Sequence, residues 1–161
     1  MHRLRVIQGK WLKRSTGRSG PRRTSRRSRT WTGWRVYDLY FVGFPIQAYG
    51  PGQADREFLE KHAAGKDIVL FITHATPEEG EPLLAEWLDA CQAAAAGANI
   101  VDMFHCQGEL AENVAEFMKN SGDPQLSAWA EDRPDTIGQP DAARLDRARA
   151  FARRVMERYG A

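Results

Sequence analysis

Large apolar residues dominate Tyr37 to Phe44, broken only by Asp38 and Gly43, and the run gives way at Pro45 to a polar, glycine-rich loop, Pro45 to Gly52, carrying one aromatic, Tyr49. A short, near-continuous apolar run bounded by turn residues predicts a strand buried on both faces, as in a parallel sheet. The period then changes. Gln53 to Ala64 predicts a helix with Phe58 and Leu59 inward, ended by Gly65 and Lys66. A second strand, Ile68 to Thr73, opens into a polar loop, His74 to Glu81. The Ala- and Leu-rich stretch Leu83 to Ala96 predicts a helix stopped at Gly97. A third strand, Ile100 to Phe104, leads to the loop His105 to Gly108. A further helix, Leu110 to Lys119, places Val114, Phe117 and Met118 on one face.

Asn120 to Pro140 is rich in Gly, Pro and Asp and is expected to be irregular. Asp141 caps a final helix to Tyr159, with Leu145, Ala148, Ala152, Val155 and Tyr159 at helical spacing. Strands alternating with helices of this length predict an α/β fold, a parallel sheet with right-handed crossovers. In such sheets ligands sit beyond the carboxyl ends of the strands, which directs attention to the loop Pro45 to Gly52.

At 161 residues the chain suits one domain, and its 42% hydrophobic and 27% charged residues are ordinary for a globular protein. No apolar stretch approaches the roughly 18 residues of a membrane helix, so no membrane partner is expected. Cys91 and Cys106 lie in neither a disulfide framework nor a metal-binding spacing, and a reducing, cytoplasmic setting is the default. No paired-carboxylate, Ser/His/Asp or metal constellation stands out.

Charge changes the picture. Residues 1–36 carry ten Arg and two Lys with no acid, a net of +12, which leaves −10 for the remainder of a chain whose total is +2. Such an arm can bind nucleic acid by neutralising phosphates, resemble an organelle transit peptide, or be a disordered arm too poor in apolar residues to repay its ordering entropy. The pairs Arg22-Arg23 and Arg26-Arg27 suggest twin-arginine export, but Asp38 interrupts the only candidate apolar segment.

The runs YDLYFVGFPIQAYGPG, IVLFITHATPE and VDMFHCQGEL, followed by GDPQLSAWAED and GQPDAARLDRARAFARRV, resemble the flavodoxin-like family, specifically its short single-domain bacterial members. The resemblance covers Tyr37 to the C-terminus. It implies a doubly wound parallel sheet ordered 2-1-3-4-5 that binds FMN at the switch point between the first and third strands. It implies an electron-transfer protein, a carrier or the flavin-dependent component of an oxidoreductase, working with a redox partner protein. The acidic body suits docking to a basic partner.

The family's opening is missing. A flavodoxin begins with a strand, a T/S-x-T-G-x-T loop around the FMN phosphate and a helix whose N-terminus faces it, and residues 1–36 contain none of these. The fold is therefore expected to be truncated at its N-terminus, without the first strand and phosphate loop. FMN binding is expected to be impaired, and the strand Tyr37 to Phe44 to expose an apolar edge. The genetic code offers a reason. Taking neighbouring residues as codons and reading from each third base permits TGNTGKVAEALYGALGP and then an acidic strand that lands on Tyr37. Residues 1–36 thus read as out-of-frame translation of a flavodoxin-like N-terminus, in frame again near Val36. This frameshift is preferred to the alternative, an α/β binding module whose Arg-rich arm contacts nucleic acid.

The resemblance also assigns loops to the flavin. Pro45, Ile46, Gln47, Ala48 and Tyr49 follow the third strand of the family pattern and cover one ring face, where Tyr49 either stacks on the ring or stands as a partly exposed loop tyrosine. Thr73, His74, Ala75 and Thr76 bring backbone groups to the pyrimidine edge. Cys106, Gln107 and Gly108 approach the same site. His74 is expected to hydrogen-bond backbone rather than to act in catalysis, Cys106 to be a small packed residue, and Cys91 to lie in the core.

Overall fold

The computed structural model describes residues 4–8, 37–79 and 82–160; for 4–8 it describes the backbone alone. Four strands form a parallel sheet in the order β1-β2-β4-β5: β1 (Leu4–Gln8), β2 (Leu39–Gln47), β4 (Asp67–His74) and β5 (Asn99–Gln107). The two-residue β3 (Gly50–Pro51) folds back antiparallel on the end of β2. Helices α1 (Gln53–His62) and α2 (Leu84–Ala93) are the crossovers, followed by α3 (Glu112–Lys119), α4 (Pro124–Glu131), α5 (Arg133–Thr136) and α6 (Ala142–Gly160). The doubly wound α/β architecture is as the alternation predicts.

Both faces of the sheet are covered. On one, Tyr40, Val42 and Phe44 of β2 and Ile68, Leu70 and Ile72 of β4 pack with Leu59 of α1 and Leu84, Leu88 and Cys91 of α2. On the other, Leu39, Phe41 and Val69 meet Phe151 and Val155 of α6. Alternation along each strand sends successive residues to opposite faces, so a continuous apolar run is what two covered faces demand. Full burial of one such side chain contributes about 1.5–3 kcal/mol, against ~0–1 kcal/mol for an exposed ion pair such as Arg149 with Asp146. Apolar packing, not surface charge, places the helices on the sheet.

Four expectations are corrected. β2 does not stop at Pro45 but runs to Gln47. Among the described residues Gly43 is the last of β2 to pair with β1, so Pro45 has a ladder partner in β4 alone, an edge position of the kind that tolerates proline. The bare apolar edge expected of Tyr37 to Phe44 is covered: Leu4 to Gln8 lies in register with Leu39 to Gly43. Main-chain pairing asks little of side-chain identity, and Val6 and Ile7 favour extended backbone. The phosphate-loop span, residues 9–36, lies outside the described residues. Asn120 to Pro140 is largely helical: Asp123 caps α4 by accepting from the Gln125 and Leu126 N–H groups, and Pro124 occupies its first turn. On α3, Ala115 faces inward while Val114 is exposed and Phe117 is 70% exposed.

The final helix begins where Asp141 predicts, its Oδ1 accepting from the Arg144 N–H at 2.8 Å. Leu145 on its first turn is exposed, whereas Val155 is buried. At the far end the Tyr159 hydroxyl lies 2.7 Å from both the Asp38 carbonyl and Asp67 Oδ2. With one proton to donate, it satisfies one of these acceptors at a time.

Candidate functional site at the carboxyl end of the sheet

Parallel register brings the three predicted loop groups together. Pro45 stands opposite Thr73, Thr73 opposite Cys106, and His74 opposite Gln107. His74, His105, Cys106 and Gln107 are thus strand residues rather than loop residues. Beyond them the Gly108 N–H donates to the His74 carbonyl at 2.8 Å, and the Gln107 side chain donates to the Ala75 carbonyl at 3.3 Å. A Cβ on Gly108 would lie 3.2 Å from Thr73 Cβ, so the two strand ends approach as closely as a glycine permits.

After β2 the chain turns within two residues. Ala48 and Tyr49 both have positive φ, 47° and 72°, and Gln47 pairs with Gly50, the pattern of a hairpin turn that glycine or asparagine ordinarily occupies. Leaving this turn, the Tyr49 ring meets Trp87 of α2 at a centroid distance of 5.6 Å and Trp129 of α4 at 6.0 Å; the two indoles stand 5.6 Å apart and nearly perpendicular. Ile46 is half-buried against the core on the α1 and α2 face.

Two histidines form a hydrogen-bonded pair. His74, 4% exposed, places Nδ1 2.9 Å from the Thr76 carbonyl and Nε2 3.0 Å from His105 Nδ1. A carbonyl can only accept, so His74 Nδ1 carries the proton. Nε2 of the neutral ring then accepts, and His105 Nδ1 donates to it, which fixes both tautomers. Burial lowers the pKa of His74 against the opposing effect of the Thr76 carbonyl, with His105 and Arg144 lowering it further; burial also lowers that of His105. Both rings are neutral at pH 7. The expectation that His74 binds backbone agrees with this geometry.

Beside the pair sits an ionic clamp that nothing local in the sequence announces. Glu78 accepts from Arg144 Nε at 2.6 Å, from Arg147 at 2.6 and 2.7 Å, and from the Gln107 N–H at 3.3 Å. Burial pushes its carboxyl up, but the Arg147 and Arg144 hydrogen bonds, with that of Gln107, outweigh it and hold the pKa at about 2. Arg144 also reaches Gln107 Oε1 and Gln139. Cys106 is buried, and burial together with Glu78 raises its thiol pKa, so it is a packed thiol rather than a nucleophile. Cys91 is in the core, its thiol pushed up to about 11 by burial.

Sequence reasoning missed Trp87, Trp129, Glu78, Arg144 and Arg147. Trp87 lay within a predicted helix and Trp129 within a segment read as irregular, so neither suggested a shared surface. Among the described residues no group of three His, Cys, Asp or Glu could hold a metal, and no helix is long and apolar enough to cross a membrane.

The family model of the flavodoxin domain matches residues 26–153, well over half of the chain. No curated protein matches it.

Proposed function

This chain belongs to the flavodoxin domain family, and from that premise we propose that its function is electron transfer through FMN held at the carboxyl end of the sheet. The observation that carries the reading is the convergence of the ends of β2, β4 and β5, where Pro45, Thr73 and Cys106 stand side by side. The ring end of FMN fits the groups there. The backbone N–H groups of Ala48, Tyr49 and Ala75 have no partner among the described residues and suit the carbonyl-bearing pyrimidine edge of the flavin. Those of Gln107 and Gly108 are already committed, to Glu78 and to His74. In this reading Pro45, Ile46, Gln47, Ala48 and the main chain of Tyr49, together with Thr73, His74, Ala75 and Thr76 and with Cys106, Gln107 and Gly108, would hold the ring end of FMN, while the Tyr49 side chain turns to Trp87 and Trp129.

FMN, when bound, supplies transfer of one or two electrons, to or from a redox partner protein in the cytoplasm. The chain's own residues orient the ring and exclude water from its edge; none of them needs to act as acid, base or nucleophile. This chain binds FMN weakly, because residues 1–36 carry no phosphate-loop motif and are the out-of-frame product of one. An FMN titration followed by quenching of flavin fluorescence tests this. A dissociation constant weaker than micromolar is expected; submicromolar binding overturns the impaired-site reading, and no binding to a chain whose first 36 residues are replaced by the shifted-frame sequence overturns the FMN reading itself. Resequencing the codons for Met1 to Asp38 tests the frameshift directly.

A second reading rests on the +12 charge of residues 1–36. Under it the flavodoxin domain is a binding module and the arm contacts nucleic acid. Salt-sensitive DNA binding lost on deleting residues 1–36 supports it, and its absence rules it out.

A further inference from the structure

Tyr49, Trp87 and Trp129 come from three separate elements and meet at the surface, where with Leu83, Glu86 and Gln125 they line an open recess of about 390 Å³. The rings are too close to one another, at 5.6–6.0 Å between centroids, to admit a guest among them. They form instead an aromatic wall of rings tilted 46°, 65° and 84° to one another, so a flat guest stacks on the exposed face of one ring while a neighbouring ring meets its edge.

Two further observations select the guest. Glu86 is exposed on the rim, with no hydrogen bond or ion pair among the described residues, and so brings a carboxylate to the edge of the recess. Tyr49, 49% exposed, is held against the indoles by two consecutive non-glycine residues at positive φ, a conformation that costs of order 1–3 kcal/mol for each residue and persists where something is gained from it. Aromatic faces beside a carboxylate attract positive charge on a planar ring through stacking and cation–π attraction.

We propose that this recess is a binding site for a planar heteroaromatic cation, separate from the flavin site. Tyr49, the exposed ring, supplies the stacking face, Trp129 meets the guest edge-on, Trp87 backs them from α2, and Glu86 selects the charge. The site needs no flavin and does not depend on the phosphate loop.

The test uses the full chain and proflavine, a planar acridine cation, followed by fluorescence polarisation. Saturable one-to-one binding is expected. Glu86→Gln, a surface change that leaves the fold intact, is expected to weaken it about 5- to 10-fold, corresponding to ~1 kcal/mol, and Trp129→Leu by at least as much. Linear, unsaturable uptake overturns the proposal, as does saturable binding indifferent to Glu86→Gln. Displacement of proflavine by FMN overturns the separateness of the site and returns the aromatic wall to the flavin. Failure of proflavine to bind leaves the FMN reading untouched, since that is measured by its own titration.

Discussion

Arg144 Nε lies 2.6 Å from Glu78 Oε1, tying the first turns of α6 to the loop that follows β4, 66 residues earlier in the chain. Glu78 is only 17% exposed and also accepts from Arg147 and from the Gln107 N–H. The clamp thus fixes β4, β5 and α6 relative to one another at the end of the sheet that carries the candidate site.

Glu78→Gln is expected to lower the free energy of unfolding at pH 7 by about 2 kcal/mol, since it leaves two arginines without their acceptor charge. The native pKa of about 2 lies below the ordinary 4.5. The unfolded state therefore binds the proton first, and the contribution, complete above pH 4.5, is lost as pH falls from there toward 2. Urea unfolding at pH 7, 4.5 and 3 checks this: the gap between parent and variant should narrow toward acid, and a constant gap counts against the clamp.

The histidine pair acts in a higher pH window. Both pKa values are lowered from 6.5, so the unfolded chain takes up protons that the folded chain refuses, and stability falls as pH drops below 6.5. His105→Gln is expected to cost about 1 kcal/mol at pH 8, where it disturbs the bond to His74, and to flatten the decline between pH 7.5 and 5. Denaturant midpoints across that range decide the matter; an unchanged slope places the acid sensitivity elsewhere.

The turn offers a stabilising change. Ala48 has φ 47° and is exposed, so Ala48→Asn exchanges a strained alanine for a residue that tolerates the left-handed region. A gain of about 0.5–1 kcal/mol is expected, read from the urea midpoint. If the gain is absent, the turn does not hold this conformation in solution.

Two glycines with close neighbours should respond differently. At Gly52 an added Cβ would lie 2.8 Å from Gln47 Oε1, the far end of an exposed side chain that can swing away, so Gly52→Ala is expected to change stability by less than about 0.5 kcal/mol. At Gly108 it would meet Thr73 Cβ, which is fixed in β4, and Gly108→Ala is expected to cost about 1–2 kcal/mol. Thermal midpoints of the two variants should separate; similar losses would mean that the strand ends part easily.

What the sequence revealed follows from distance along the chain. The strand Tyr37 to Phe44 and the cap at Asp141 were legible because apolar runs and capping residues act on their immediate neighbours. α4 was hidden by Gly122, Asp123 and Pro124, which read as loop residues although the last two begin a helix. The Glu78 clamp was invisible for another reason: Arg144 and Arg147 look like the ordinary charged face of a helix until the fold brings Glu78 to them. The resemblance placed Tyr49 at the site, but Trp87 and Trp129, which receive its ring, are joined to it only by tertiary structure. Leu4 to Gln8 found the open edge of β2 despite a setting of basic residues, because a strand edge selects for extended backbone more than for composition.

The Tyr159 hydroxyl, shared between Asp38 and Asp67, closes the opposite end of the sheet. The nine residues of β2 separate the two ends by roughly 30 Å. The molecule is therefore polar in a practical sense. Anchored to a surface through the last turn of α6, it would stand upright with its loops turned to solution, so wiring it to an electrode by that helix would put the whole height of the core between metal and site.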